Sequence, residues 1–144
     1  MESAADGSTI IVKLDDGEDL FGSLKSIART HNIVNGVVLF GIGQLKYFEL
    51  GYFDGTTYQR RIINETHELV GLHGTLTPNL DPPMHLHAAL SKGDFMMIGG
   101  HLFKATVATL NELCIQRLSV IQMGRELDRQ TGLRKLTVRQ SASR

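Results

Sequence analysis

Between residues 47 and 90 the chain alternates between short strand-forming runs and clusters of turn-forming residues, and this alternation limits the possible folds more than any other feature. The runs cover residues 47–54, 58–63, 68–77 and 84–90, and Gly, Asn, Asp and Pro separate them. Asp54-Gly55 is a typical hairpin pair, and all three prolines lie in the loop 78–83. Such short connections favour antiparallel pairing of neighbouring strands.

The first 40 residues have a different pattern. Residues 9–14 are rich in β-branched side chains and predict a strand, and the acidic stretch 15–19 is typical of a helix start. Leu20, Leu24, Ile27 and Ala28 then share one face of a helix of about three turns. Residues 37–40 predict a short buried strand, which completes a β-α-β opening.

The predicted fold is therefore a single α/β (α+β) domain with a mostly antiparallel, mixed β-sheet and one main amphipathic helix. Residues 108–118 fit either a strand or a helix by pattern, and we favour a strand. We place the domain at residues 8–140, and we expect residues 1–7 and 141–144 to be flexible ends.

Composition excludes several classes of protein. The net charge is zero, which does not support a general polyanion-binding surface. Cys114 is the single cysteine, so no internal disulfide can form and a core thiol is expected. The longest nearly apolar run, residues 37–43, is far shorter than the roughly 18 residues of a membrane span. With no recognisable secretory leader, the sequence predicts a soluble, cytoplasmic protein that does not bind membranes.

Three of the six histidines, His85, His87 and His101, are the most distinctive chemical feature. In a strand, His85 and His87 project from one face with Cα atoms about 6.6 Å apart, so that both imidazoles could bind one ion. His101 would be the third ligand. Three imidazoles with an open fourth position are typical of catalytic zinc sites, whereas structural zinc sites have four ligands, usually including thiolates. The prediction is an open site for Zn²⁺ or another divalent transition metal; the alternative is a set of mutually bonded core histidines.

Glu68 is the candidate catalytic acid or base near this metal, because it begins a strand whose next residues are apolar. The alternative is an exposed charge at a strand end, or a salt bridge with Arg60 or Arg61. His73 could support a metal ligand as a hydrogen-bond partner. Its odd spacing from Glu68 places the two on opposite faces of a strand unless a bulge intervenes.

Two other motifs have simpler interpretations. Gly41-Ile42-Gly43 follows an apolar strand, but a dinucleotide fingerprint needs a third glycine where Lys46 stands, and a helix after it. We expect these glycines to allow a tight turn or a close approach of subunits. His-x-His also occurs in cupins, but Ser91 stands where a cupin has glutamate.

Charge is unevenly distributed along the chain. Residues 117–144 contain seven basic and two acidic residues, a balance of +5, so the rest of the chain carries −5. Such a segment could contact nucleic acid or an acidic face of another subunit, although it is more often a solvated end.

Five ordered blocks resemble the PPC domain, the "plants and prokaryotes conserved" domain. The blocks are Gly41-Ile42-Gly43, Leu50-Gly51-Tyr52-Phe53-Asp54, Glu68-Leu69-Val70-Gly71-Leu72-His73-Gly74, His85-Leu86-His87 and Gly99-Gly100-His101-Leu102. The similarity runs from about residue 10 to 118, with an extension to 131–133. It implies an α/β domain around a mostly antiparallel sheet, assembled as a homotrimer.

The resemblance also carries functional expectations. The fold of the PPC domain is similar to that of acetolactate decarboxylase, whose metal is held by three histidines, and this implies that His85, His87 and His101 are metal ligands. It transfers neither the substrate nor the catalytic residues of that enzyme. Prokaryotic PPC proteins are commonly described as proposed DNA-binding proteins, after plant members that carry an Arg-Gly-Arg-Pro AT-hook. This sequence contains no such motif.

The leading hypothesis is thus a trimeric metal protein whose open coordination position binds a small carboxylate or carbonyl ligand. If it is an enzyme, a metal-dependent lyase or hydrolase reaction with Glu68 assisting is expected. The alternative is a DNA-binding regulator that acts as a trimer through residues 117–144, and a third reading is a trimeric interaction scaffold.

Overall fold

A computed structural model describes residues 1–141, and within them it contains one helix and nine strands. The helix α1 is Leu20–Thr30. The strands are β1 Glu2–Asp6, β2 Thr9–Asp15, β3 Gly36–Phe53, β4 Tyr58–Ile63, β5 His67–Leu76, β6 Met84–Ser91, β7 Met97–Arg117, β8 Ile121–Leu127 and β9 Arg134–Gln140. The first seven strands form one sheet, in the order β1-β2-β7-β6-β5-β3-β4, and β8 and β9 form a separate hairpin. The predicted single domain with a mostly antiparallel sheet and one helix is confirmed.

The main sheet closes on itself. β3 pairs with β5 along one edge and with β7 along the other, while β6 joins β5 to β7. The four strands therefore form a ring, and all of these pairings are antiparallel. Each strand of the ring contributes fully buried side chains, among them Leu45, Leu72, Leu86 and Leu102. A closed ring leaves few free backbone groups and holds its strands in fixed register.

The helix covers the sheet with the face that the sequence predicts. Leu20, Leu24, Ile27 and Ala28 are its buried residues, and the Asp19 side chain caps its first turn by accepting a hydrogen bond from the Gly22 amide. β2 and β3 flank the helix in sequence and both pair with β7, so they run parallel with β7 between them. This is the predicted β-α-β opening.

One expectation for a strand and the expected core thiol are confirmed, and one expectation for strands is wrong. Residues 108–118 belong almost entirely to strand β7, and Cys114 is a buried free thiol. The two runs 37–40 and 47–54, however, are not separate strands, because β3 continues through both with several bulges. Gly43 makes this continuity possible. A side chain there would clash with the carbonyl oxygen of Leu110 on β7, so the glycine allows close approach of two strands of one chain.

The chain ends also differ from expectation. Residues 1–7 were predicted to be flexible, but Glu2–Asp6 form β1, which pairs with all of residues 9–13 of β2. Residues 142–144, part of the predicted flexible C-terminal end, lie outside the described residues. Within residues 1–141, no helix has both the length and the apolar character that crossing a membrane requires.

The β8–β9 hairpin is attached to the ring by a few polar contacts. Asn35 accepts two hydrogen bonds, one from the Leu118 amide to its backbone oxygen and one from the Met123 amide to its side-chain oxygen. The Arg134 Nε of the hairpin lies 3.7 Å from the Oδ2 of Asp81, which belongs to the loop before β6. An isolated two-stranded hairpin is marginally stable in water, so its position depends on this docking.

Candidate metal centre

His85 and His87 lie on β6 with their side chains outside the ring. The strand alternates between buried and more exposed residues, and Leu86 between the two histidines is fully buried. A side-chain period of two thus fixes both imidazoles on one face. His101 on β7 is the direct cross-strand partner of His87, and it brings a third imidazole to the same face. The predicted grouping of the three histidines is therefore present.

The three imidazoles, called here the histidine trio, converge closely. One ring nitrogen from each lies within 4.8 Å of the others, and the Nε2 atoms of His85 and His87 are 3.2 Å apart. The ring centroids are separated by 5.0 to 5.5 Å. Two nitrogens at about 2.05 Å from a tetrahedral zinc ion would be roughly 3.3 Å apart. The separation of the His85 and His87 nitrogens fits this geometry.

Aromatic side chains pack against one side of the trio. The His101 ring lies 4.3 Å from the Phe103 ring and 5.0 Å from the Tyr58 ring, measured between centroids. The Arg60 guanidinium stacks over the Phe103 ring, with its central carbon 3.7 Å from the ring centre. These groups shield part of the His101 ring from water.

Burial and nearby positive charges keep the trio neutral. Burial lowers the pKa of His101 to about 4, with further lowering from His85, His87 and Arg60. The pKa of His85 is lowered by burial and then by His87 and Arg125, and that of His87 is lowered by burial. Neutral imidazole is the form that binds metal ions.

The donor set fits a transition metal. Imidazole nitrogen suits zinc, copper, iron and nickel, and the buried Nδ1 of His101 has no hydrogen-bond partner among the described residues. Leaving a buried polar atom without a partner costs free energy. A metal ion at the trio would find three neutral nitrogen donors already gathered on two adjacent strands.

The part of the chain that carries the histidine trio also shows which protein family the chain belongs to. The family model of the Plants and Prokaryotes Conserved (PCC) domain matches residues 1–119, which include the whole histidine trio. The chain belongs to the PCC-domain family. No curated protein sequence matches it.

Solved structures give the same fold. A metal-containing protein from Archaeoglobus fulgidus is 29% identical, with 91% of this chain and 94% of that chain covered at a TM-score of 0.81. A plant- and prokaryote-conserved (PPC) protein from Pyrococcus horikoshii is 25% identical, with 90% and 92% covered at 0.77. A proposed DNA-binding protein from Bacteroides thetaiotaomicron is 21% identical, with 94% and 96% covered at 0.85. The last of these supports the fold alone.

The PCC domain does not bring Glu68 to the histidine trio. Glu68 pairs with Ser91 at the far end of β6, whereas His87 pairs with His73. The Glu68 carboxylate accepts a hydrogen bond from the Gln44 side chain at 2.6 Å, and Arg60 instead contacts Glu49. The structure therefore gives Glu68 the position of an exposed strand-end charge rather than that of an acid or base near the trio.

His73 is beside the trio without belonging to it. A bulge between Leu69 and Gly71 changes the parity of β5, so His73 lies directly across from His87. Its Nδ1 is 2.8 Å from the carbonyl oxygen of Leu39, and it lies outside the group of nitrogens that could share one ion.

Close backbone packing between β5 and β6 supports the trio. Gly74 is opposite Leu86, and a side chain at this position would clash with the carbonyl oxygen of His85. The neighbouring Thr75 pairs with His85 and accepts a hydrogen bond from Arg125 at 2.9 Å. The position of His85 therefore depends on a glycine at 74.

Several groups around the trio were missed in the sequence. Phe103 could have been found, because it follows His101 by two residues on one strand and so shares its face. Tyr58 and Arg125 could not, since one arrives through the pairing of β4 and the other through docking of the β8–β9 hairpin.

Proposed function

We propose that His85, His87 and His101 hold a divalent transition metal ion, zinc in the first place, and that a small ligand binds at its open coordination position through an oxygen atom. The convergence of three neutral imidazoles at zinc-like spacing is the observation that supports this proposal. The metal-containing relative from Archaeoglobus fulgidus adds support, because it shares the fold at 29% identity.

A bound metal would supply a Lewis acid that polarises a carbonyl or carboxylate oxygen. The residues of the chain would hold and shield this centre. His85 and His87 face outward for ligand access, while Tyr58 and Phe103 keep water from the side of His101. Within the described residues, no carboxylate joins the trio. The proposal is therefore ligand binding, and no lyase or hydrolase step is assigned to Glu68.

Elemental analysis tests the metal. Tag-free protein purified without nickel should contain about one zinc ion per chain, and a His85→Ala/His87→Ala variant should contain none. His73→Ala is the matched control, because it removes a neighbouring exposed imidazole from outside the trio. It should retain the metal of the parent. A parent without metal, or a double variant that retains it, would refute the site.

We also propose that the chain assembles as a homotrimer. Exposed apolar side chains occur on paired strands of the ring, at Leu39, Phe40 and Ile42 on β3 and at Val70 on β5. Water contact with such residues is unfavourable, and they are typical of surfaces covered by another subunit.

Sedimentation measures this assembly directly. The expected mass is three times the 15.9 kDa of one chain. Ile42→Asp should give a smaller species, whereas Ile11→Asp on β2, which is also exposed, should not. A monomeric parent would exclude the trimer.

DNA binding by residues 117–144 is the second candidate, and the balance of +5 in this segment is the observation that favours it. The charges of this segment are partly compensated. The Lys135 Nζ is 2.7 Å from the Asp128 Oδ2, and the Arg134 Nε is 3.7 Å from the Asp81 Oδ2. Arg117 donates hydrogen bonds to the backbone oxygens of His31 and Gly7. A gel shift at low and physiological salt should separate the candidates, since binding by residual charge alone would weaken steeply as salt rises. Tight binding at physiological salt would favour the DNA candidate.

A further inference from the structure

A cavity of about 590 Å³ opens beside the histidine trio. The helix α1, the loop before β6, the strands that carry the trio and the β8–β9 hairpin all contribute to its wall, and His85 and His101 are among the residues that line it. Its volume falls in the range of about 300 to 1,000 Å³ that is typical of small-molecule sites. A ligand bound at the trio would extend into this space.

The wall of the cavity is positively charged. Four basic residues line it, namely Lys25, Arg125, Arg134 and Lys135, and no Asp or Glu is among the described residues that do so. Outside the wall, Asp81 lies near Arg134 and Asp128 near Lys135. Arg125 has no such carboxylate within the described part of the chain.

Arg125 is only partly satisfied by the protein. Its Nη2 donates to the Thr75 hydroxyl at 2.9 Å, while its buried Nε has no hydrogen-bond partner among the described residues. A guanidinium group has five N–H donors in a rigid plane. A half-buried cation with unused donors is unfavourable unless an anion completes it.

The remainder of the wall is apolar. Phe21, Tyr58 and Phe103 contribute aromatic surface, and Leu133 and Leu136 of the hairpin contribute aliphatic surface. An apolar wall would bind the hydrocarbon part of a ligand, whereas a phosphate ion or a sugar would leave it uncovered.

We propose that the ligand is an organic carboxylate with an apolar body, that Arg125 binds its carboxylate where one oxygen can also reach the open position at the trio, and that the body fills the cavity. This inference rests on the proposed function, because it identifies the class of ligand at that same site. A planar carboxylate matches the fork of one guanidinium with two parallel hydrogen bonds. Arg125 is thus the residue that selects for a negative charge.

Calorimetric titration of the full chain, zinc-loaded and metal-free, tests this assignment. The probes are hexanoate and phenylacetate, their neutral amides hexanamide and phenylacetamide, and inorganic phosphate. Arg125→Met removes the charge at similar length, Arg125→Lys retains the charge without the fork, and Arg129→Met in the exposed β8–β9 turn is the matched control. Zinc content is measured for every variant.

The parent should bind at least one carboxylate more tightly than its amide and than phosphate. Arg125→Met should weaken that binding about 10- to 100-fold, the usual contribution of a charged hydrogen-bonded contact. The affinity of Arg125→Lys for the carboxylate should lie between that of Arg125→Met and that of the parent. The affinity of Arg129→Met should equal that of the parent. All variants should retain the same zinc content.

The two proposals fail in different ways. A parent without zinc whose carboxylate binding still depends on Arg125 would refute the metal and retain the carboxylate site. A parent with zinc that binds no probe, binds amide or phosphate as tightly as carboxylate, or is unaffected by Arg125→Met would overturn the carboxylate inference alone. If Arg125→Met does not fold, Arg125→Gln is measured in its place, and carboxylate binding equal to that of the parent would overturn the inference as well.

Discussion

Replacing Gly74 with alanine should destabilise the protein and weaken metal binding together. The added Cβ would meet the His85 carbonyl oxygen and would lie 2.9 Å from the Cα atom of Leu86. Both atoms belong to the backbone of β6, where residues 85 and 86 pair with β5 and the next residue, His87, pairs with both β5 and β7, so that the backbone cannot withdraw without disturbing the ring. The change therefore acts on the strand that carries two of the three histidines.

The size of the effect has two parts. The φ angle of Gly74 is 157°, which other residues rarely adopt, and holding alanine there costs about 1 to 3 kcal/mol. Forcing an extra group into a packed interior costs about 1 to 3 kcal/mol more. For a chain of 144 residues, 1 kcal/mol corresponds to roughly 3 °C in the melting temperature. Gly74→Ala should thus lower the melting temperature by about 6 to 18 °C.

Two control variants separate these parts. Gly55 has a φ of 101° but nothing within 4 Å of an added Cβ, so Gly55→Ala should show only the backbone cost, about 3 to 9 °C. Gly93 also has open space and no unusual φ, so Gly93→Ala should show neither cost. Thermal unfolding followed by circular dichroism gives the three values, and zinc titration gives the affinities. If Gly74→Ala melts within about 2 °C of Gly93→Ala, or keeps the zinc affinity of the parent, the reasoning is refuted.

Three further predictions concern the trio, the hairpin and the core. The free energy of unfolding of the metal-free protein should fall as the pH drops from about 6.5 towards 4, because the lowered histidine pKa values mean that the unfolded chain binds more protons in that window. Urea denaturation at several pH values measures this free energy. A value that does not change with pH would contradict the prediction. Asn35→Ala should speed amide hydrogen exchange in β8 and β9 but not in the ring, because it removes the side-chain oxygen that accepts a hydrogen bond from the Met123 amide. Exchange rates in the hairpin that match those of the parent would show that other contacts hold the hairpin. Leu24→Ala should reduce the free energy of unfolding by about 2 to 5 kcal/mol, because this helix side chain is fully buried, and a loss below 1 kcal/mol would contradict its place in the core.

The sequence predicted the helix and those strands that are determined by the pattern of residues within the segment itself. The alternation of strand and turn residues located β4 and β6 nearly to the residue, and the spacing of apolar residues located α1. β3 was divided in two because Gly41 and Gly43 interrupt its apolar pattern, and only its pairing with β7 keeps the strand continuous. β1 contains Glu, Ser, Ala and Asp, which are weak strand formers, and its structure comes from the free edge of β2.

In the site, too, one part follows from the local sequence and another depends on how the strands pair. A period of two along β6 is sufficient to place His85 and His87 together, and it is a property of the sequence. The arrival of His101 beside His87 depends on register between two strands, which the family resemblance implied and the backbone pairing now explains. Glu68 illustrates the limit, because the apolar residues that follow it predict a strand but not the register of that strand, which pairs Glu68 with Ser91 and not with a histidine.

The arrangement of the site separates the proposed metal centre from the residues proposed to select the ligand. The trio lies on β6 and β7, inside residues 1–119 that the family model covers, and a closed ring of strands fixes it. Arg125, Leu133 and Leu136 lie beyond that region, on the hairpin that contacts Asn35 and Asp81. Changes in the hairpin can therefore alter the charge and shape of the cavity without replacing any residue of the histidine trio. A family built in this way could retain the histidine trio while its members bind different small molecules, because function depends on the residues of a site rather than on the fold that carries it.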